Sequence, residues 1–328
     1  MAKKKHKVLC IQPIHDVGMK ILRSRDDIEL VIPEGIEPQH WEKHLADTEM
    51  MLIRTTKVPR WVIEKAPNLK LISRHGVGCD NIDVEAATEH GITVATVGEA
   101  NAPSVVEHTV AMMLSLAKRL PDVDKAMRNG AFFDKLKLDA MDVAGATVLV
   151  IGLGRIGSRL VPVLNALRMN VIGVDPALTS AQITATGAEA CTDFHAALPR
   201  ADFVTVHMPL QTDTRHLIGA RELALMKPTA YLINCARGGI VDEAALLTAL
   251  DSRQIKGAGV DVMVTEPPTL DDPLLKSDRL ILSTHSAAST LEGTKRMATN
   301  AAQNILDQID GRLPLSHVFN PDVLKKKR

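Results

Sequence analysis

Aromatic side chains are scarce: two Trp, one Tyr and five Phe in 328 residues. Single-stranded nucleic acids are gripped by stacking on such rings, so that class of surface is not expected. Net charge is also missing. Lys+Arg and Asp+Glu stand at 39 each, which gives no global attraction to nucleic acid or membrane. Cysteine is sparse and scattered: Cys10, Cys79, Cys191 and Cys235 form no C-x-x-C pair. Neither a disulfide framework nor a metal site is expected, and a reducing, cytoplasmic location fits. Long apolar runs are lacking too. The longest, Val105–Ala117, is interrupted by Glu107 and His108 and is too short to span a bilayer. No apolar segment of secretory type follows the first lysines. Basic residues cluster only at the two ends, Lys3–Lys5 and Lys325–Arg328, and read as solvated tails.

The stretch from Thr147 to Asp175 is the most informative part of the chain. A buried-strand pattern, Thr147–Ile151, runs directly into Gly152-Leu153-Gly154-Arg155-Ile156-Gly157. Apolar residues then recur at Ile156, Leu160, Leu164 and Leu167, the spacing of one helix face. A second strand, Val171–Val174, ends in Asp175. Strand, glycine turn, helix, strand and acid is the order a dinucleotide site requires. Gly152 permits the turn, Gly154 lets backbone N–H groups approach a pyrophosphate, and Gly157 lets the helix pack close to the strand. Asp175 is placed to accept hydrogen bonds from a ribose 2′-hydroxyl and to repel a 2′-phosphate, which favours NAD over NADP. Pro162 conflicts with the pattern, because it removes a donor within the helix and should kink or loosen its first turns.

Short apolar runs alternate with helical patterns before this stretch: Val8–Ile11, Ile28–Val31, Met50–Ile53, Leu71–Ser73 and Ile92–Ala95. Alternation of this kind predicts βαβ units and a parallel sheet. A long helix, Pro103–Leu120, follows and is ended by Pro121; it is apolar nearly all round and so should be buried between domains or against another subunit. Six strands are predicted after it: Thr147–Ile151, Val171–Val174, Phe203–Val206, Tyr231–Asn234, Gly257–Val260 and Leu280–Leu282. A final helix, Thr290–Ile309, packs back on the first domain. The fold class is α/β with two doubly wound parallel-sheet domains.

Open α/β sheets bind ligands beyond the carboxyl ends of their strands. Three chemically capable residues lie just past such ends: Arg237, Glu266 and His285. Arg237 suits a substrate carboxylate and carbonyl oxygen, through its planar fork. His285 suits proton transfer to or from the oxygen of a 2-oxo or 2-hydroxy acid. Glu266 suits orientation of the imidazole in its protonated form. His75, His108 and His207 are competing histidines.

At this point the residues resemble the D-isomer-specific 2-hydroxyacid dehydrogenases. The resemblance rests on NIDVEAATEHGITV (81–94), EANAPSVVEHTVAMML (99–114), GLGRIGSRL (152–160), HMPLQTDTRHLIG (207–219), NCARGGIVDEAAL (234–246), GVDVMVTEPP (259–268) and STHSAAST (283–290). It implies a Rossmann NAD-binding domain, 102–287, inserted in a discontinuous flavodoxin-like substrate domain, 1–101 and 288–328. It implies Arg237, Glu266 and His285 as the catalytic trio. Cofactor contacts are implied at Gly152, Gly154, Arg155, Ile156, Gly157, Asp175, His207, Pro209, Cys235, Ala236 and Asp261, with Asp261 on the nicotinamide amide. Substrate contacts are implied at Val77 and Gly78, through backbone, and a homodimer is implied through helix 103–120. Arg54 and Arg74 look like the anion-binding arginines of phosphoglycerate dehydrogenases, which predicts a substrate with a second anionic group such as 3-phosphoglycerate or 3-sulfolactate. Glyoxylate/hydroxypyruvate reduction is the enzymatic alternative, and an NAD(H)-sensing corepressor is the alternative of another class. The sequence departs from the pattern at His75, usually a small residue, and at Ser286-Ala287-Ala288, often glycines, which should narrow the pocket. It also shows no regulatory domain, so serine feedback through one is not expected.

Overall fold

The structure, a computed structural model, describes residues 5–137 and 139–326. The chain forms two compact units: residues 1–101 with 290–328, and residues 102–289. Lys3, Lys4, Lys327 and Arg328 of the predicted tails lie outside the described residues.

The first unit carries β1 (His6–Cys10), β2 (Ile28–Val31), β3 (Met50–Ile53), β4 (Leu71–Arg74) and β5 (Thr93–Ala95). Their order is β2-β1-β3-β4-β5, and every pair is parallel. β3 and β5 are buried at every residue, as expected of strands covered on both faces. One core gathers Leu9, Met51, Ile53, Ile72 and Val94 against Trp41, Leu45 and Ile63. The helix Leu291–Ile309 returns to this unit. Ser73 Oγ of β4 donates to the Ala301 carbonyl within it at 2.8 Å.

The second unit carries β6 (Thr147–Ile151), β7 (Asn170–Val174), β8 (Glu189–Ala190), β9 (Phe203–Val206), β10 (Tyr231–Asn234), β11 (Gly257–Val260) and β12 (Leu280–Leu282). Their order is β12-β11-β10-β9-β6-β7-β8, again all parallel. The chain winds outward from β6 to β8, then restarts beside β6 with β9. That reversal creates a crevice at the carboxyl ends of β6 and β9, where ligands of such sheets bind. β8 makes a seventh strand where the sequence predicts six. It spans two residues, too few to show an alternating or apolar pattern.

Three sequence expectations change. The long helix stops at Ala117. Arg119 takes a left-handed backbone (φ 54°), and a second helix, Leu120–Arg128, begins with Pro121 in its first turn. Pro121 therefore opens a helix, where its missing N–H costs nothing. The apolar residues of Ala102–Ala117 need no second domain or subunit to cover them. Val105, Val106, Met112, Met113 and Leu116 join the core of their own unit, and the helix packs on β10, β11 and the Gly157–Ala166 helix. Pro162 does not interrupt that helix, which is continuous. Pro162 is exposed, so the carbonyl it leaves without a donor lies on the solvent side of the helix. Among the described residues, no helix is long and apolar enough to cross a membrane.

Candidate functional site

The glycine turn at the end of β6 has the shape a dinucleotide needs. Gly152 has φ 91°, and its N–H donates to the Val174 carbonyl at 2.8 Å. A Cβ on Gly157 would overlap the Gly152 carbonyl oxygen, so the helix meets the turn at a distance only glycine allows. A Cβ on Gly154 would meet nothing within 4 Å. Gly154 therefore opens onto free space beside the start of the helix, where unpaired N–H groups favour an anion. Arg155 is exposed and Ile156, the N-cap residue, is partly buried. Asp175 joins the two halves of the motif: its Oδ2 accepts from Leu153 N at 2.8 Å and its Oδ1 from Ala177 N at 2.9 Å. The residues present fit an adenine dinucleotide.

After β9 comes His207. Its Nε2 faces Thr205 Oγ1 at 3.0 Å, whereas its Nδ1 is buried without a partner. Burial pushes its pKa down to about 4, so the ring is neutral. Pro209 is exposed, and its carbonyl accepts from Thr214 Oγ1 at 2.7 Å.

After β10, Asn234 pins the turn that carries Arg237. Its Oδ1 accepts from Ala236 N at 3.0 Å and its Nδ2 donates to the Arg237 carbonyl at 2.9 Å. Asn234 itself is buried, at 2 % exposure, and both bonds are part-buried. The Arg237 Nη1 donates to the Ala236 carbonyl at 2.8 Å. Cys235 is buried, with its thiol pushed up to about 12 by desolvation; only its backbone is suited to a ligand.

The loops after β11 and β12 meet. His285 Nδ1 lies 2.7 Å from Glu266 Oε2, and Glu266 Oε1 accepts from Met263 N at 2.9 Å. With Nδ1–H directed at the carboxylate, Nε2 is the ring nitrogen left for a ligand. Both side chains are accessible, at 50 % and 37 %. Asp261 is buried at 1 % exposure, and its carboxylate is filled by donors from the chain around His285.

The other two candidate histidines, His108 in the second unit and His75 in the first, have partners of their own. His108 contacts Ser283. His75 is buried at 5 % exposure, its Nε2 has no partner, and its pKa falls to about 4 through burial and then the charges of Arg54 and Arg74. Those two guanidinium groups thus converge on one ring. Arg54 is exposed. Arg74 turns back over Gly76, where a Cβ would overlap Nη1, and donates to the His75 carbonyl. Val77 and Gly78 follow, both partly exposed.

Two contributors to this geometry were not foreseen. Gln12, at the end of β1, accepts from Thr55 N at 2.7 Å and Thr56 N at 3.0 Å, fixing the Arg54 loop. Its role depends on β1 and β3 being neighbours, which no local pattern encodes. Ser283 links His108 to Asp261. It lies within a motif quoted for its histidine, and only the fold shows its partners. Among the described residues there is no group of His, Cys, Asp and Glu able to hold a metal ion.

Comparison with known proteins agrees with this geometry. The family model for the NAD-binding domain of D-isomer specific 2-hydroxyacid dehydrogenases matches residues 110–287. The chain is 40 % identical over 322 residues to D-3-phosphoglycerate dehydrogenase of Methanocaldococcus jannaschii, covering 98 % of this chain and 61 % of that protein. It is 37 % identical to the Synechocystis enzyme of the same name, covering 98 % and 58 %. The chain thus spans about six-tenths of the length of these relatives. Among solved structures, D-lactate dehydrogenase of Aquifex aeolicus, complexed with NAD and lactic acid, superposes with a TM-score of 0.84 at 28 % identity, covering 94 % and 96 %. The NAD-dependent formate dehydrogenase of Staphylococcus aureus, in complex with NAD, gives 0.84 at 26 %, covering 95 % and 98 %. The chain belongs to the D-isomer specific 2-hydroxyacid dehydrogenase family, and its second unit contains the NAD-binding domain.

Proposed function

We propose that the chain is an NAD-dependent dehydrogenase, and 2-oxo acid reductase, for a small 2-hydroxy acid carrying a second anionic group of the 3-phosphoglycerate or 3-sulfolactate type. The observation that carries this reading is the 2.7 Å contact between His285 Nδ1 and Glu266 Oε2, at the sheet edge that also bears the glycine turn and Arg237. Gly152, Gly154, Arg155, Ile156 and Gly157 hold the pyrophosphate, and Asp175 the adenosine ribose. His207, Pro209, Cys235, Ala236 and Asp261 line the nicotinamide end. Bound nicotinamide supplies the hydride in reduction and receives it in oxidation.

The protein's own work is binding and proton transfer. Arg237 holds the substrate carboxylate and carbonyl oxygen, kept in place by the Asn234 bonds to its turn. In reduction, His285 Nε2–H gives its proton to the carbonyl oxygen; in oxidation Nε2 takes the hydroxyl proton. Glu266 fixes the imidazole tautomer and faces the positive charge that the ring carries when protonated. In the first unit, the backbone of Val77 and Gly78 binds the carboxylate, and Arg54 and Arg74 bind the distal anion. One observation favours a second reading, a glyoxylate/hydroxypyruvate reductase: Arg74 already spends a donor on the His75 carbonyl. Comparing KM for 2-oxo acids with and without a distal phosphate or sulfonate, in the native protein and in Arg74→Ala, tests the choice. A selective rise for the doubly anionic acid supports the first reading. Equal changes support the second.

The homodimer inferred from the sequence is retained, but its surface is moved. The helix Leu120–Arg128 buries none of its residues. Leu120, Val123 and Met127 are exposed, followed by exposed Phe132 and Phe133. This apolar stripe, not helix 103–120, is the face offered to a second copy. A reducing cytoplasmic setting suits the four free cysteines.

A further inference from the structure

We propose that His108 is a positioning residue for His285, acting through Ser283 and Asp261; this rests on the function proposed above. The chain of contacts is short and its polarity is fixed. Ser283 Oγ lies 2.5 Å from Asp261 Oδ1. A carboxylate only accepts, so the single hydroxyl proton of Ser283 points at Asp261. His108 Nε2 lies 3.0 Å from the same Oγ. With the hydroxyl proton engaged, Oγ is the acceptor, and His108 must carry its proton on Nε2. The order is His108 Nε2–H to Ser283 Oγ–H to Asp261 Oδ1. His108 Nε2 also lies 3.7 Å from Asp261 Oδ1 directly.

Asp261 is the hub of the loop that carries His285. Its carbonyl accepts from His285 N at 2.8 Å. Its carboxylate accepts from Ser286 N at 2.8 Å and Ala287 N at 3.0 Å. Asp261, just past β11, thus holds four of the five positions after β12: Ser283, His285, Ser286 and Ala287. The hold has something to oppose. His285 sits at φ 53°, a left-handed conformation that a residue with a Cβ adopts at a cost and keeps only when its surroundings fix it. Asp261 is a buried carboxylate, and such a group stays in place only if its lone pairs are filled. Two donors come from the loop itself and move with it. The Ser283–His108 arm is different. It ties the carboxylate to the Ala102–Ala117 helix, an element packed into the core. Backbone bonds from Asp261 N to the Asn234 carbonyl (3.0 Å) and from Ser283 N to the Val260 carbonyl (3.1 Å) tie the loop to the sheet; His108 adds the side-chain anchor that sets the Asp261 carboxylate, and through it the direction of His285 Nε2.

The test compares the full chain with His108→Leu, His108→Gln, Ser283→Ala and the double variant His108→Leu/Ser283→Ala. NADH binding is read by fluorescence, folding by thermal melting, and turnover with the best 2-oxo acid. Leu keeps the bulk without the donor; Gln restores an N–H. We expect His108→Leu to lower kcat and kcat/KM together by about tenfold, with the NADH Kd changed by less than about threefold, the signature of a lost transition-state contact. His108→Gln recovers most of that loss. The double variant falls no further than the worse single one, because both substitutions cut the same chain. The proposal is overturned if His108→Leu turns over within twofold of the native protein, if Gln rescues nothing, or if the two losses multiply. Should His108→Leu fail to fold, Gln and Ser283→Ala decide alone: a well-folded Ser283→Ala with native kcat overturns it. A native protein that oxidises NADH with no 2-oxo acid defeats the proposed function instead, and is seen before any variant is made.

Discussion

At the scale of single residues, histidines that look alike in sequence stand in different physical settings. His285 is paired with Glu266, and the proposed function gives it the transferred proton. His285→Ala should reduce turnover by about 10²–10⁴-fold, the usual contribution of a general acid–base group, while NADH binding measured by fluorescence stays close to native. His75 is neutral and buried. Its folded pKa of about 4 lies below the ordinary value near 6.5, so between these pH values the unfolded chain binds the extra proton. Stability contributed by neutral His75 is therefore intact above about pH 6.5 and is lost as pH falls toward 4, at roughly 1 kcal/mol per pH unit. Denaturant titrations across that range should show a shallower slope for His75→Gln than for the native protein. An unchanged slope would remove His75 as the source. In the sequence His75 stood out as a competing histidine and as a departure from a small residue. Its burial, and the convergence of Arg54 and Arg74 on it, required β3 and β4 to be neighbours.

At the scale of elements, the strands were readable because parallel strands buried on both faces are written as continuous apolar runs. Ile28–Val31, Met50–Ile53, Phe203–Val206 and Tyr231–Asn234 lie where the sequence places them. β8 was not readable, since two residues carry no period. The break at Arg119 was hidden for another reason: Pro121 opens the second helix rather than ending the first, which stops at Ala117, and the left-handed Arg119 has no compositional mark. The glycine turn was legible as a pattern, but its geometry now separates its members. Gly154→Ala should leave the melting temperature nearly unchanged, since its Cβ meets nothing within 4 Å, yet weaken NADH binding by at least about tenfold. Gly157→Ala should lose both, because its Cβ overlaps the Gly152 carbonyl and overpacking of this kind costs about 1–3 kcal/mol. Thermal melts alongside NADH titrations distinguish the two. Equal behaviour would mean that Gly154 serves the fold rather than the cofactor.

At the scale of the whole molecule, each unit has its own parallel sheet: Arg54, Arg74, Val77 and Gly78 belong to the first, and the glycine turn with Arg237, Glu266 and His285 to the second. The placement of Arg237, Glu266 and His285 just past strand ends was legible from the strand pattern, and the strand order β10-β11-β12 sets their three loops side by side. The sequence suggested an assembly only through an apolar excess; Leu120, Val123 and Met127 form an exposed apolar stripe, the face proposed for a second copy. Met127→Glu should shift the sedimentation coefficient from dimer to monomer with little change in melting of the isolated subunit; an unaltered dimer would place the interface elsewhere. The central claim is that the chain reduces 2-oxo acids with His285 as the proton donor. NADH oxidation, followed by absorbance over a panel of 2-oxo acids with and without a distal phosphate or sulfonate, tests it in the native protein and in His285→Ala. The account predicts turnover in the native protein, fastest with a doubly anionic acid, and its loss in a variant that still binds NADH. No turnover with any acid, or undiminished turnover without His285, would contradict it.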